Sequence, residues 1–244
     1  MKTQLKKSLT KFSKILKKTL IFLILVLFFF FAIYFLNEYF LVEEIKIKGI
    51  SQNTSLNGIA SYKNRNILFL SEKEIESKIT SENSYVDKVY VNKEFPKTLS
   101  ILVSIHKNIA QLKVSNGFFN LSEEGRIISK VRERKEGITT INYYQLFNYH
   151  ENQAGDFITY KDIKTALFIL TNALDLGIKA DSIDINGLTM IILNFEERKV
   201  FFSTEKDKEI QIYELDQIIH SLKIKGQDFK ELDLRFKKPI IVFN

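Results

Sequence analysis

Histidine is the residue type with which this sequence could most readily do chemistry, because imidazole ligates metals and transfers protons near neutral pH. The chain contains His106, His150 and His220 and no cysteine. The three histidines are far apart in sequence, and none stands at metal-ligand spacing to another. G-x-S-x-G, P-loop and H-E-x-x-H patterns are also missing from the sequence. We therefore expect surface or structural histidines, no metal, no cofactor and no enzymatic activity.

The final segment, ELDLRFKKPIIVFN (231–244), could act in another way, through hydrogen bonds between its main chain and a strand of another protein. Leu232, Leu234 and Phe236 alternate with charged residues, which predicts one strand with a packed face and a wet face. Pro239 has no N–H to donate, so it confines the strand to a sheet edge or a bulge. An uncovered edge can accept a strand of another protein, but lysines and proline on an edge can equally discourage pairing. These residues alone leave both interpretations open.

The positive charge of the chain is concentrated at its N-terminus. The net charge is +7 and the pI is about 9.2. Residues 1–18 contain seven of the 36 Lys and Arg and no acidic residue, which leaves 29 basic against 29 acidic residues. The remainder is formally neutral, so a nucleic-acid-binding surface loses its main support. We expect neither nucleic acid nor a small-molecule substrate as a partner.

An apolar run follows this basic tail. Residues 20–36 carry no charge, and 15 of the 17 are Leu, Ile, Val or Phe. Insertion of 15 such residues favours the bilayer by roughly 5 to 9 kcal/mol. The run is longer than the apolar part of a usual signal peptide, and NEYFLVEE after it has no small-x-small cleavage site. The sequence therefore predicts an uncleaved transmembrane helix over 19–41.

The charges on either side of this helix predict its orientation. Lysines precede it, whereas Glu38, Glu43 and Glu44 follow it. The positive-inside rule then predicts a cytoplasmic tail over 1–18 and an extracytoplasmic location for the bulk of the chain.

The fold class predicted for the exported part is α+β, in two modules. VEEIKIKGI (42–50) is a strand pattern, 51–62 is a weak helix pattern interrupted by Gly58, and SEKEIESKIT (71–80) is a helix with a capping box. Two strands follow, joined at EFPK (94–97). The order β-α-α-β-β predicts a three-stranded sheet covered by two helices.

A second region begins near Ala110. It contains a strand meander, a short strand at GITTI (137–141), a helix that ends at Gly177, and three strands within 182–203. Another helix ends before Gly226 and precedes the final strand. The sequence thus predicts a mixed β-domain of antiparallel strands with two helices.

The loop between these strands and helices carries four aromatic residues. They form either a partner contact or a patch folded onto its own sheet, and the sequence leaves their role open: Tyr143, Tyr144, Phe147 and Tyr149.

With the whole order of elements in view, the chain resembles the FtsQ/DivIB family of bacterial cell-division proteins. The segments that carry the resemblance are the single N-terminal span, VEEIKIKGI, NILFLSEKEIESKI, YVDKVYVNKEFPKTLSILV, FFNLSEEGRII and the terminal ELDLRF. The segment IHKNIA (105–110) departs from the family pattern, because it lacks the usual acidic-basic pair and proline. The sequence after DLRF also differs from the usual one.

The resemblance implies a POTRA domain over 42–112 and an FtsQ-type β-domain over 113–244. It also implies a non-catalytic scaffold at the division septum, which assembles with FtsB/DivIC and FtsL-like coiled-coil proteins. In such proteins the last strand of the β-domain receives FtsB/DivIC, so the resemblance favours the docking interpretation of the terminal edge. The partner-binding residues expected from it are Arg235, Phe236, Lys238, Ile240 and Val242.

Two alternative functions remain. A POTRA-containing transport or secretion component is one, although such proteins usually carry repeated modules and a membrane barrel. A membrane-anchored extracytoplasmic hydrolase with an unrecognised site is the other. Activity on cell-wall substrates would distinguish a hydrolase from a scaffold.

Overall fold

A computed structural model describes residues 2–51, 54–187 and 189–243 of the chain, except for the side chains of residues 2–18. The lysine side chains of the predicted cytoplasmic tail therefore lie outside the described part. The elements, in chain order, are α1 (Lys2–Tyr39), β1 (Glu44–Lys48), α2 (Glu72–Glu82), β2 (Val86–Glu94), β3 (Thr98–Ile105), β4 (Ala110–Val114), β5 (Gly117–Leu121), β6 (Ile127–Val131), β7 (Thr139–Tyr143), α3 (Lys161–Asp175), β8 (Ser182–Asn186), β9 (Met190–Phe195), β10 (Arg198–Ser203), α4 (Lys208–Lys225), β11 (Phe229–Asp233) and β12 (Ile240–Phe243).

The chain forms two compact units. The first consists of Met1–Ile79 and Lys88–Val103, and the second of Thr80–Asp87 and Ser104–Asn244. Together they form the mixed α+β architecture predicted from the sequence, with an apolar N-terminal helix, a small sheet and a larger sheet-rich region.

Helix α1 contains the predicted membrane anchor. Its part from Thr19 to Tyr39 is 21 residues long, has a mean hydropathy of 3.0 and contains no buried residue. At about 1.5 Å per residue, this stretch matches the thickness of a hydrocarbon core of about 30 Å. The length and composition of the helix fit a single transmembrane anchor.

The first unit contains a three-stranded sheet. Its order is β1-β3-β2, with β1 parallel to β3 from Glu44↔Thr98 to Lys48↔Leu102. Helix α2 begins at the predicted capping box, where the Glu74 N–H donates to Ser71 Oγ at 3.4 Å. Its buried residues are Ile75 and Ile79, which agrees with their spacing of four along one helix face.

The first of the two expected helices of this unit is not an α-helix. Among the described residues of 51–62 the structure has a single 3-10 turn at Ala60–Tyr62, and a second such turn follows at Ile67–Phe69. Gly58, at φ +85°, is in the left-handed region, which interrupts a right-handed helix. The expectation of a helix over 51–62 is therefore wrong.

The second unit contains a nine-stranded sheet in the order β12-β11-β10-β9-β8-β7-β4-β5-β6. The sequence predicted antiparallel strands, but three pairs in this sheet are parallel: β4–β7, β7–β8 and β10–β11. Helix α3 lies between β7 and β8 in the chain, and α4 lies between β10 and β11. A helical crossover returns the chain to the same end of the sheet, so the strands that it joins run parallel.

Both helices of this unit contribute to its hydrophobic core. Leu167 and Leu170 of α3 and Leu215 and Leu222 of α4 are buried with the apolar residues of the sheet. Asp207 caps α4 by accepting the N–H of Ile210 at 2.9 Å. The two predicted helices of the β-domain are thus present.

Candidate partner-binding edge

The terminal segment forms a hairpin rather than the single strand predicted from its alternation. Strand β11 ends at Asp233, and β12 returns antiparallel to it from Ile240. The Asp233 carboxylate accepts the Arg235 N–H at 3.1 Å, which is an Asx-turn that redirects the chain directly after β11. Pro239 then precedes β12, so the proline stands outside both ladders.

This hairpin separates the five predicted partner-binding residues into two groups. Arg235, Phe236 and Lys238 lie in the connection between the strands, whereas Ile240 and Val242 lie on β12. Among the strands of the described residues, β12 has one neighbour, β11, and is an edge of the sheet. The predicted edge therefore exists, but β11 itself is paired on both sides.

The register of the hairpin determines which side chains the edge presents. Ile241 is opposite Leu232 and packs against the core of the second unit. Ile240 and Val242 alternate with it, so they point to the other face of the sheet, and both are exposed. Phe236 is exposed as well, in contrast to the packed position that its alternation with Leu232 and Leu234 predicted.

Arg235 is used within the protein to hold the connection on the sheet. Its Nε is 2.9 Å from Asp233 Oδ1 and its Nη2 is 2.6 Å from Oδ2, a bidentate ion pair. The guanidinium also lies 5.4 Å from the ring centroid of Phe201 and 5.7 Å from that of Phe236. Burial alone would raise the pKa of Asp233, but the hydrogen bonds and charge of Arg235 hold it below its usual range. Arg235 thus lies beside the ring of Phe236 while it is paired with Asp233.

Lys206, which was not among the predicted site residues, holds the same connection from the side of α4. Its Nζ donates to Glu214 Oε2 at 2.6 Å, to the Leu234 carbonyl at 2.9 Å and to the Phe236 carbonyl at 3.0 Å. An ammonium has three N–H groups, so all of its donors are used. Its side chain is only 19% exposed. In TEKDKE this lysine is one charge among several, and nothing in the sequence distinguishes it.

At the opposite edge of the sheet, a loop covers the start of β6. The Ile127 N–H donates to the Asp156 carbonyl and the Ile127 carbonyl accepts the Gly155 N–H, both at 2.8 Å. Lys130 Nζ also donates to the Asn152 carbonyl at 2.7 Å. Natural sheets protect edges in this way against unwanted pairing. The two edges of the nine-stranded sheet therefore differ, because a loop pairs with the start of β6 while β12 presents exposed apolar side chains.

The aromatic loop is largely folded onto its own unit. Tyr143 is buried and stacks on Phe147 with ring centroids 5.3 Å apart. Burial raises the pKa of the Tyr143 phenol above its usual value. Tyr149 lies between Lys130 and Arg132, which are 4.4 and 4.1 Å from its ring centroid. This part of the loop packs within the protein, and Tyr144 is its exposed ring.

The three histidines are not brought together. His106 Nδ1 lies 3.8 Å from Asp87 and 4.0 Å from Glu124. The ring of His150 packs edge-on against Tyr149, and His220 is exposed on α4. Within residues 2–51, 54–187 and 189–243, no group of three or more His, Asp or Glu is arranged to hold a metal ion.

Comparison with known proteins points to one family. Residues 40–104 match the POTRA domain of FtsQ type. The cell division protein DivIB of Clostridium botulinum strain Hall is 28% identical over 167 residues, which is 68% of this chain and 64% of that protein. DivIB of Clostridium botulinum strain Loch Maree is 29% identical over 126 residues, which is 51% of this chain and 48% of that protein. The matches thus span less than two thirds of these relatives.

Proposed function

We propose that the chain is a membrane-anchored cell-division protein of the FtsQ/DivIB family, to which its POTRA match and its similarity to DivIB point. In this proposal it is a non-catalytic divisome scaffold that captures a partner by strand addition at β12. Its partner is a coiled-coil complex of the FtsB/DivIC and FtsL type. The observation that carries the proposal is that β12, among the described residues, has a single neighbouring strand, whereas a loop pairs with the start of the opposite edge strand. An added strand would pair with the outer main-chain groups of β12.

The proposed orientation follows from the charges around α1. The lysine-rich tail remains in the cytoplasm, and both sheets lie on the extracytoplasmic side of the membrane. The site of action is the division septum. The scaffold would link early and late division proteins there, with further membrane partners docking on the FtsQ-type POTRA domain.

We place the boundary between the two modules before Ala110. The sequence favoured a POTRA domain over 42–112 and a β-domain over 113–244. Strand β4 runs from Ala110 to Val114 and pairs with β5 and β7 of the large sheet. A boundary between residues 112 and 113 would divide this strand, whereas one in the segment 106–109 separates complete sheets.

Within the partner site, the residues have different proposed roles. Main-chain groups of Ile240–Phe243 provide the pairing, and the exposed Ile240 and Val242 provide apolar contacts. Phe236 extends this apolar surface at the end of the hairpin. Lys238 contributes charge selection, and Arg235 positions Phe236 while it remains paired with Asp233.

A capture experiment tests the edge. The full chain with Phe236→Ser, Ile240→Ser or Val242→Ser should retain less of a co-expressed single-span coiled-coil division protein than the unchanged chain. Phe157→Ser is the matched control, because Phe157 and Phe236 are both 51% exposed and Phe157 bridges to Arg126 at the opposite edge. Equal capture by all four variants and the unchanged chain would refute the assignment of β12.

A further inference from the structure

Three large apolar side chains of the first unit are exposed on segments that meet the end of α1. Phe69 is 84% exposed, and Leu68 beside it is also exposed. Phe95, in the connection between β2 and β3, is exposed as well. Single exposed apolar residues are common on soluble proteins, so their position rather than their exposure needs an explanation.

Direct contacts fix that position. Asn66 Nδ2 donates to Asn37 Oδ1 of α1 at 2.8 Å, and the Ile67 N–H donates to the Phe40 carbonyl at 2.8 Å. The ring of Phe95 packs edge-on against that of Phe40, with centroids 6.3 Å apart. The 3-10 turn with Leu68 and Phe69, and the connection with Phe95, are thus both held against the end of the membrane helix.

The depth of these contacts follows from the helix. The apolar stretch of α1 ends at Tyr39 and is about as long as the hydrocarbon core is thick. Asn37 is two residues before this end, or about 3 Å deeper along the axis. Its partner Asn66 therefore lies at the boundary between acyl chains and headgroups, and Leu68 and Phe69 follow two and three residues later.

The local structure directs these side chains outward. Asn66 caps the 3-10 turn by accepting the Leu68 N–H at 3.0 Å, and Ile67 points into the core, where it is fully buried. Leu68 and Phe69 are left on the outside of the turn. Exposed Lys63 and Arg65 precede them in the chain. Aromatic side chains beside cations are typical of segments that lie at a membrane interface.

We propose that Leu68, Phe69 and Phe95 form a membrane-facing surface that inserts into the bilayer in which α1 is anchored. The occupant is lipid rather than a protein, because the contacts with Asn37 of α1 and with Phe40 directly after this helix place this surface at the depth where headgroups and acyl chains meet. The first unit would thereby be held in one orientation on the membrane instead of swinging about the end of α1. This inference rests on the anchoring helix and is independent of strand capture at β12.

The composition of the chain allows a direct test, because the protein contains no tryptophan. Phe69→Trp and Phe95→Trp each introduce a single tryptophan, which is excited selectively at the red edge of the absorption band, into the full chain. Each variant is reconstituted in phosphatidylcholine–phosphatidylglycerol vesicles. Tyr90→Trp is the control, since Tyr90 and Phe95 are both 58% exposed. Tyr90 lies on β2, five residues before Phe95. At about 3.3 Å per residue along a strand, the two residues are about 16 Å apart. Phe35→Trp, within the span, is the positive control.

The expected result is strong quenching of Phe69→Trp and Phe95→Trp by lipids brominated on the upper acyl chain, with blue-shifted emission. Tyr90→Trp should show water-like emission and several-fold weaker quenching. If Phe69→Trp behaves like Tyr90→Trp while Phe35→Trp is quenched, the inference is wrong. It is equally wrong if Phe69→Trp becomes shielded only after another division protein is added to the vesicles.

Discussion

Lys206 is expected to determine whether the terminal hairpin is rigid enough to receive a strand. The change Lys206→Met keeps most of the aliphatic stem and removes the ammonium. Three acceptors then lose their donor: the Glu214 carboxylate and the carbonyls of Leu234 and Phe236. Because these carbonyls belong to the connection between β11 and β12, the loss should act on the hairpin.

The size of the effect follows from the geometry. A hydrogen bond to a charged group contributes about 1.5–3 kcal/mol, and removing one member of a buried pair costs about 3–5 kcal/mol. The side chains of Lys206 and Glu214 retain 19% and 22% exposure, so water compensates part of the loss. We therefore expect a destabilisation of the hairpin of about 2–3 kcal/mol, or about 30- to 140-fold in its opening equilibrium.

Hydrogen exchange of the full chain in nanodiscs measures this opening directly. Amides of β11 and β12 should exchange faster by that factor in Lys206→Met, and capture of the coiled-coil partner should weaken. Glu214→Gln should have a smaller effect, since both carbonyls keep their donor. The control is Lys208→Met, whose ammonium is 3.7 Å from Glu209 on a more exposed surface, where ion pairs contribute about 0–1 kcal/mol. Equal protection of the hairpin in the Lys206 and Lys208 variants would refute the proposed role.

Two further predictions concern pH and location. The folded pKa of Asp233 is depressed, so its pairing with Arg235 stabilises the protein fully above the unfolded carboxyl value of about 3.9 and is lost as pH falls through the lower folded value. The difference in urea midpoint between the unchanged chain and Asp233→Asn should thus be constant from pH 7 to about 4 and shrink below it; a difference that already disappears near pH 6 would contradict this ion pair. A fluorescent fusion of the full chain should form a mid-cell band in dividing bacteria, and uniform membrane fluorescence throughout the cell cycle would contradict the division role.

The membrane helix could be found from the sequence because it is an uninterrupted apolar run, and both predicted helices of the larger unit because their apolar residues recur at helical spacing. The terminal hairpin could not. Leu232, Leu234 and Phe236 continue the alternation of a strand, whereas the chain is turned by hydrogen bonds from Arg235 to Asp233 and from Lys206 to two carbonyls. Such contacts depend on residues that are distant in sequence or on local side-chain geometry, and neither changes the hydrophobic pattern.

The candidate site was also predictable only in part, because some of its features leave a pattern in the sequence and others do not. Ile240 and Val242 were expected on an edge, and they lie on one, because a proline is incompatible with a central strand. The placement of Arg235 was not predictable. Its charge predicted a wet face and the family resemblance implied a partner contact, but the structure engages its guanidinium with Asp233 and two aromatic rings.

The short edge strand explains why the proposed scaffold would need its membrane helix. Strand β12 has four residues, so an added strand gains at most about four main-chain hydrogen bonds, worth about 2–6 kcal/mol in total. Loss of translational and rotational freedom on association costs about 4–15 kcal/mol, so these hydrogen bonds alone would not hold a partner in solution. Apolar contacts of Ile240, Val242 and Phe236 add to the affinity, and anchoring both proteins in one membrane raises their effective concentration. A rigidly held edge and a shared membrane would then make a short strand a sufficient docking site.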